Sequence, residues 1–566
     1  MTCHPAGRAA ASNLAGAARI SGAGQPRAEA RPLRLLIGAL LLLAGCSARQ
    51  PTPTPVVRQT SAALAIPSAE SPPDPAAASV NPAASNAELA AYADSLRPSR
   101  MADLRAHADA PRYDLDLSVD PVARRVEGSQ VTEYVNRGET ALSELVLRLY
   151  PNTAYMGGTL ALGEVRVDGL PVTPVTVLRS SPGLTIPLAD TSVISLPLAS
   201  PLQPGARAAL TLTYSITAPA SHSSGYRTFG ANDGLLALPN AYAMIAPRDQ
   251  DGWISDPAPD WGDIVLSEMA LYRARIHAPA GYLIAATGVC RAAPLIGDPP
   301  AQDVTCVAGP VRDFALQVGH GFTETRAVVD SQGEPITVTS VYAPRSEAGG
   351  RRVLGYAVAA LQAYERLLGP YPYRELTVYM SPVMAGGIEY PMLIGITDGL
   401  YGQEGGYLEW IVAHEVAHQW WYGLVGNDPV NEAWLDEALT QYTTSLYIED
   451  RYGPEAARQE RQRYFVQRYE NEARRGGDVS VNRPTAAFER SNYGPLVYGK
   501  GPLFFQAVRE TAGDLKFIAW LRLYLNQHRY GITNADDLFV AADQVGIGTM
   551  ARAAFVQWIA NRNAGS

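Results

Sequence analysis

The chain has 566 residues, 47% of them hydrophobic, and a formal net charge of -9. At roughly 100–200 residues per domain, this leaves room for two or three folded units with sizeable cores. The acidic balance speaks against a nucleic-acid partner, whose binding face would be basic.

Residues 1–46 read as an export signal. Arg31 and Arg34 precede an apolar run of about ten residues, too short to span a membrane. The run ends on Leu43-Ala44-Gly45-Cys46, which resembles a bacterial lipobox. That resemblance implies cleavage before Cys46, lipidation of its thiol, and a protein held on the outer face of a bacterial membrane. An ordinary signal peptide that happens to contain a cysteine is the alternative. Residues 47–104 follow, dominated at first by Pro, Ala, Ser and Thr. Such a composition buries too little apolar surface to fold, so a disordered tether is expected.

Residues 105–325 alternate apolar and polar positions in short runs, as at 113–119, 210–214 and 272–276. Gly, Pro, Asn and Asp separate the runs. Period-two alternation between turn residues predicts an antiparallel β domain. Cys290 and Cys306 lie in this region. In an exported protein they are candidates for a disulfide across a loop, with two free thiols as the alternative. Residues 326–566 change period. Helices are expected over 351–368, 408–422, 433–452, 502–510, 515–527 and 550–561, with a strand at 377–380. The fold class is therefore α+β and multidomain: a β-rich domain, then a mostly α domain with a small sheet.

The second domain carries His414-Glu415-Val416-Ala417-His418. On a helix, positions i and i+4 share a face, so both imidazoles can meet one zinc ion. Glu415 then lies where its carboxylate can act as general base. An amphipathic helix with two surface histidines is the plain alternative. The strongly apolar flanks, Trp410 to Ala413 and Trp420 to Tyr422, disfavour it. A catalytic zinc takes three protein ligands and keeps a position open. On chemistry alone, Glu432, Asp436 and Glu437 compete for the third place.

The stretch from His414 to Gly426 resembles the zinc helix of the aminopeptidase N family of gluzincins. Trp434-Leu-Asp-Glu-Ala-Leu-Thr-Gln-Tyr442 is similar to that family's following helix. The resemblance selects Glu437 as third ligand, with Asp436 and Ala438 as departures. Gly386-Gly387-Ile388-Glu389-Tyr390 resembles the family's exopeptidase motif, an edge strand beside the zinc. It implies that Gly386, Gly387 and Glu389 bind substrate, Glu389 through the free amino group. Tyr498-Gly499-Lys500-Gly501 is similar to the family's Tyr-x-Lys-Gly segment, which implies that Tyr498 stabilises the oxyanion. Tyr493 and Tyr464 are nearby competitors on residue type alone. The family's N-terminal domain is a β saddle, and its catalytic domain is thermolysin-like. No counterpart of the glutamine that the saddle supplies to the substrate amine is evident around Ala246 to Asp263. The resemblance covers roughly residues 105–566, without the helical-repeat domain of longer relatives.

The expectation is a lipid-anchored zinc aminopeptidase with one Zn2+ per chain, acting on peptides with a free N-terminus. The alternatives are a zinc endopeptidase and a non-enzymatic surface binding lipoprotein.

Overall fold

The computed structural model describes residues 86–179, 188–220, 226–295, 297 and 300–560. The signal sequence, Cys46 and residues 47–85 of the expected tether lie outside the described residues.

The N-terminal β region is built on an eight-stranded sheet. Its order is Val289–Ala292, Ala301–Val311, Ala270–Pro279, Arg112–Asp120, Arg125–Val135, Arg207–Thr217, Thr159–Val167 and Leu170–Pro171. Burial alternates strictly along most of Arg125–Val135 and Arg207–Thr217. The register places Val126 opposite Ile216, both buried, so one face of the pair is core and the other solvent. One pair departs from the expected antiparallel arrangement: Arg112–Asp120 runs parallel to Ala270–Pro279. These strands are more than a hundred residues apart in sequence. No hairpin therefore dictates their direction, and period-two alternation cannot reveal it. Two four-stranded sheets and a short two-stranded pair, Arg248–Asp249 with Gly252–Trp253, complete the region. Cys290 and Cys306 face each other across neighbouring strands and are disulfide-bonded.

The second region begins with a five-stranded sheet ordered Thr323–Ser331, Glu334–Tyr342, Glu375–Ser381, Leu393–Thr397 and Gly387–Ile388. Helix Glu347–Leu367 buries Val353, Ala357, Ala360, Leu361 and Tyr364, one stripe at helical spacing. Beyond the sheet the chain is mostly helical to its last described residues, with one short parallel pair, Gly426–Asn427 and Ile532–Thr533.

Three sequence expectations need correction. The folded body starts before residue 105: Asn86–Ala90 and Met101–Ala106 are helical, and Leu96 and Leu104 are fully buried. Arg97 explains the difference. Its guanidinium is 1% exposed and pairs with Glu334 at 2.9 Å and Glu365 at 3.0 Å. A charge buried by partners more than 230 positions away reads locally as solvated linker. The expected helix over 408–422 ends at Ala417, because the chain turns back through Gly423. There the Gly423 N–H donates to the His418 carbonyl, and a Cβ would press on the Gln419 carbonyl. Helices Pro454–Arg461, Gln467–Arg474 and Ala535–Gln544 were not anticipated. The first two bury little beyond Ala457 and Glu472, too few positions to show a period.

The β region is tied to the helical region by two adjacent buried residues, Arg312 and Asp313. The Arg312 guanidinium donates to the carbonyls of Ser267, Tyr422, Leu424 and Gly531. Asp313 accepts from the Tyr422 hydroxyl at 2.5 Å.

Candidate metal centre and active site

Helix Gly406–Ala417 is buried on every side from Leu408 onward, and His414 on it and His418 just past its end are buried with it. Helix Trp434–Tyr452 returns against it and brings Glu437 to them. Glu437 Oε2 lies 3.3 Å from His414 Nε2 and 3.3 Å from His418 Nε2, and the two Nε2 atoms are 3.2 Å apart. Zinc bonds of about 2.0–2.1 Å at tetrahedral angles set neighbouring donors about 3.3 Å apart. The triangle fits one such ion. Two further observations agree. Glu437 Oε2 is buried without a hydrogen-bond partner, a costly state for a carboxylate oxygen unless a cation meets it. On His418, Nδ1 lies 3.0 Å from the Trp421 carbonyl, which keeps the hydrogen there and turns the Nε2 lone pair to the triangle. Glu432 and Asp436 are not part of it. Asp436 instead accepts the Glu437 backbone N–H at 2.7 Å.

Glu415 and Glu389 also converge here, each with a carboxylate oxygen within 4.8 Å of a His418 ring nitrogen. Burial pushes the Glu415 carboxyl well up, and repulsion from Glu389 adds to it. Burial raises Glu389 to about 7, opposed by His418 and reinforced by Glu437. Asp436 rises to about 8 through burial and the Glu437 charge. Glu437 goes the other way. Burial acts to raise it, but His414 and His418, each 3.3 Å away, hold it well below the usual carboxylate range. His418 follows as the counterpart: burial favours its neutral form, yet Glu437, Glu389 and Glu415 lift it to about 10. Burial lowers His414, against the pull of Glu437. Buried carboxyls crowded around the two histidines favour added positive charge at this end of the cleft.

The glycine motif sits at the sheet edge, as Gly387–Ile388 pairing antiparallel to Leu393–Thr397. Gly387 lines the cleft, and a Cβ there would overlap the Glu415 carboxyl. Gly386 is not among the lining residues. It holds the turn at φ 110°, where L side chains are strained. Tyr498 lies on a single π-helical turn, Leu496–Lys500, the kind of distortion that often marks functional positions. Its hydroxyl donates to Glu437 Oε1 at 2.5 Å, which places it beside the metal triangle. The cleft measures about 270 Å³.

Residues 360–561 match the Peptidase family M1 domain. Over that stretch the chain is similar to peptidase family M1. The chain is 26% identical over 159 residues to Tricorn protease-interacting factor F2 of Thermoplasma acidophilum, covering 26% of this chain and 19% of that protein. It is 28% identical over 146 residues to aminopeptidase N of Lactococcus lactis subsp. cremoris, covering 25% and 17%. It is 26% identical over 204 residues to aminopeptidase B of Mus musculus, covering 34% and 30%. The chain thus spans less than a third of the length of these curated relatives. The fold is similar to that of the M1 zinc metallopeptidase from Deinococcus radiodurans, with a TM-score of 0.58, 20% identity, and 81% of this chain and 94% of that chain covered. A mutant of that protein has been solved bound to a Tyr-Ser-Ala substrate.

Two residues of the site, Asp263 and Gln419, escaped the sequence reading. Asp263, from the β region, lines the same cleft. Burial drives its carboxyl well up, with repulsion from Glu389 and Glu437 next. The segment carrying it has no motif and meets the zinc helix only in the fold. Gln419, one position after His418, accepts the Met392 N–H at 2.8 Å and donates to the Glu389 and Tyr390 carbonyls at 3.3 Å. It locks the segment that carries Glu389 to the helix that carries His414. Lys500 is 1% exposed and donates to Asp478 at 2.5 Å, anchoring the turn that carries Tyr498. Gly501 lets that turn approach the Glu437 helix: a Cβ would come within 2.7 Å of the Ala438 Cβ. Tyr493 is also at the cleft, with its buried hydroxyl unpartnered, whereas Tyr498 is the tyrosine bonded to Glu437. Tyr464 lines the cleft as well.

Proposed function

We propose that this protein is a zinc aminopeptidase that removes N-terminal residues from peptides. The observation that carries the reading is the triangle of His414, His418 and Glu437 with its unpartnered carboxylate oxygen. One zinc per chain, held by these three residues, would supply a Lewis acid and lower the pKa of its water to about 7. Glu415 takes the proton of the attacking water and delivers it to the leaving amine nitrogen. The Tyr498 hydroxyl swings from Glu437 to donate to the carbonyl oxygen as negative charge develops there. Glu389 and Asp263 hold the substrate ammonium between them, which relieves their mutual repulsion. That pairing fixes which peptide bond reaches the reacting groups, and it favours an aminopeptidase over an endopeptidase. Asp263 would fill, from the β region, the role for which no glutamine was evident.

The test compares the zinc-loaded chain with Glu389→Ala on alanyl fluorogenic amides and on N-acetylated peptides. The reading expects cleavage of the free-amine substrates, lost in the variant, and none of the blocked ones. Cleavage of blocked peptides that survives in the variant would make this an endopeptidase. Protein that binds no zinc and shows no chelator-sensitive hydrolysis would return it to a surface binding role.

The sequence at residues 31–46 supports a second proposal, export with a lipid anchor on Cys46. Among the described residues no helix is long and apolar enough to cross a membrane. Cys46→Ser should move the protein from the membrane fraction to the soluble one. An unchanged membrane association would reject the anchor.

A further inference from the structure

The cleft is chemically polarised. Asp263 and Glu389 line it beside the metal ligands, and two arginines, Arg468 and Arg490, line it as well. Several arginines in this part of the fold have acidic partners. Arg461 and Arg509 share Glu449, and Arg474 pairs with Glu470. Among the described residues, Arg468 and Arg490 make no ion pair and no side-chain hydrogen bond. Both are exposed, so solvation alone is the plain account of either one. Their convergence argues further. Arg490 and Gly494 are four positions apart on helix Arg490–Pro495 and share a face. The guanidinium of Arg468, from helix Gln467–Arg474, lies 3.3 Å from where a Gly494 Cβ would stand. Two helices thus bring two cations to one face, over a glycine that leaves room for them.

We infer that Arg468 and Arg490 receive the C-terminal carboxylate of short peptides, so that the cleft reads both ends of a zwitterionic substrate. This rests on the aminopeptidase reading. An arginine fork matches a carboxylate in bidentate geometry and stays charged at every working pH. A cleft of about 270 Å³ lies at the small end of ligand pockets, suited to a peptide of a few residues. The substrate class is di- and tripeptides with a free carboxylate.

The experiment uses the zinc-loaded full chain and compares kcat/KM for Ala-Ala-Ala, its C-terminal amide and Ala-Glu amide. An exposed charge pair is worth up to about fivefold, so two arginines should favour the free acid over the amide by about tenfold. The preference should act mainly on KM and shrink as salt rises. The acid-to-amide ratio should fall toward one in Arg468→Gln/Arg490→Gln and recover in part in Arg468→Lys/Arg490→Lys. Equal rates on acid and amide in the unaltered chain, or an undiminished ratio in the double glutamine variant, would overturn the inference. Ala-Glu amide cleaved as well as Ala-Ala-Ala would assign the pair to acidic side chains and reject the C-terminal assignment. Should the chain cleave no peptide and no alanyl fluorogenic amide, the aminopeptidase reading itself fails. Calorimetric binding of Ala-Ala-Ala and its amide to Glu415→Gln then decides the carboxylate site, equal affinities rejecting it.

Discussion

Gly387 shows how tightly single atoms are placed around the reacting groups. It has no side chain because the Glu415 carboxyl occupies that space. Gly387→Ala should therefore displace the base while leaving the fold intact. A misplacement of about 1 Å costs about a hundredfold in rate. We expect kcat to fall by about that factor, with an unchanged melting temperature. A kcat within twofold of the parent would mean that Glu415 does not need this position. Tyr498 gives a complementary case. Its hydroxyl donates to Glu437 in this structure, yet its proposed work is done in the transition state. Tyr498→Phe should lower kcat by about a hundredfold to a thousandfold with little change in KM. A variant that loses KM alone would place the tyrosine in ground-state binding.

At the scale of elements, the site depends on connections between segments that are distant in sequence. Gln419 clamps the segment of Glu389 to the helix of His414, and Lys500 with Gly501 sets the turn of Tyr498. The Arg312–Asp313 pair docks the β region, and with it Asp263, against the loop after the zinc helix. Burial raises the Asp313 carboxyl to about 6, against the hydrogen bond from Tyr422. The sign follows from proton linkage. Between about pH 4 and 6 the folded state binds the proton and the unfolded state does not, so this residue's contribution favours folding at the acid end and is lost as pH rises. A shift of about two units corresponds to about 3 kcal/mol. Asp313→Asn should thus gain stability relative to the parent as pH rises from 4 to 6.5 in urea titrations. A parallel pH dependence in both proteins would show that Asp313 does not titrate in this window.

At the scale of the whole molecule, the metal triangle joins two helices within one core, so metal and fold stability should be linked. With free zinc at about a hundred times its dissociation constant, stabilisation is about 2.7 kcal/mol. Chelator should lower the melting temperature of the parent. In His418→Ala, whose triangle is broken, it should have much less effect. An equal effect on both would place the metal elsewhere.

How much of this was legible in the sequence differs by residue, for physical reasons. His414, Glu415 and His418 were readable because helical spacing alone puts them on one face. The β alternation and the long amphipathic helix at 347–367 were readable because their period is written locally. Glu437, Glu389 and Tyr498 were singled out by resemblance to a family. Spacing left Glu432 and Asp436 in competition, and only the fold shows Glu437 at 3.3 Å from both histidines. Asp263, Gln419, Arg468 and Arg490 carry no local pattern, and neither does the burial of Arg97. Each acquires its role from partners far along the chain. The sequence by itself determined the metal-binding helix and the order of β and α regions, because both follow from short-range periodicity. The tertiary structure alone decided which charges meet in the cleft, because that depends on long-range packing.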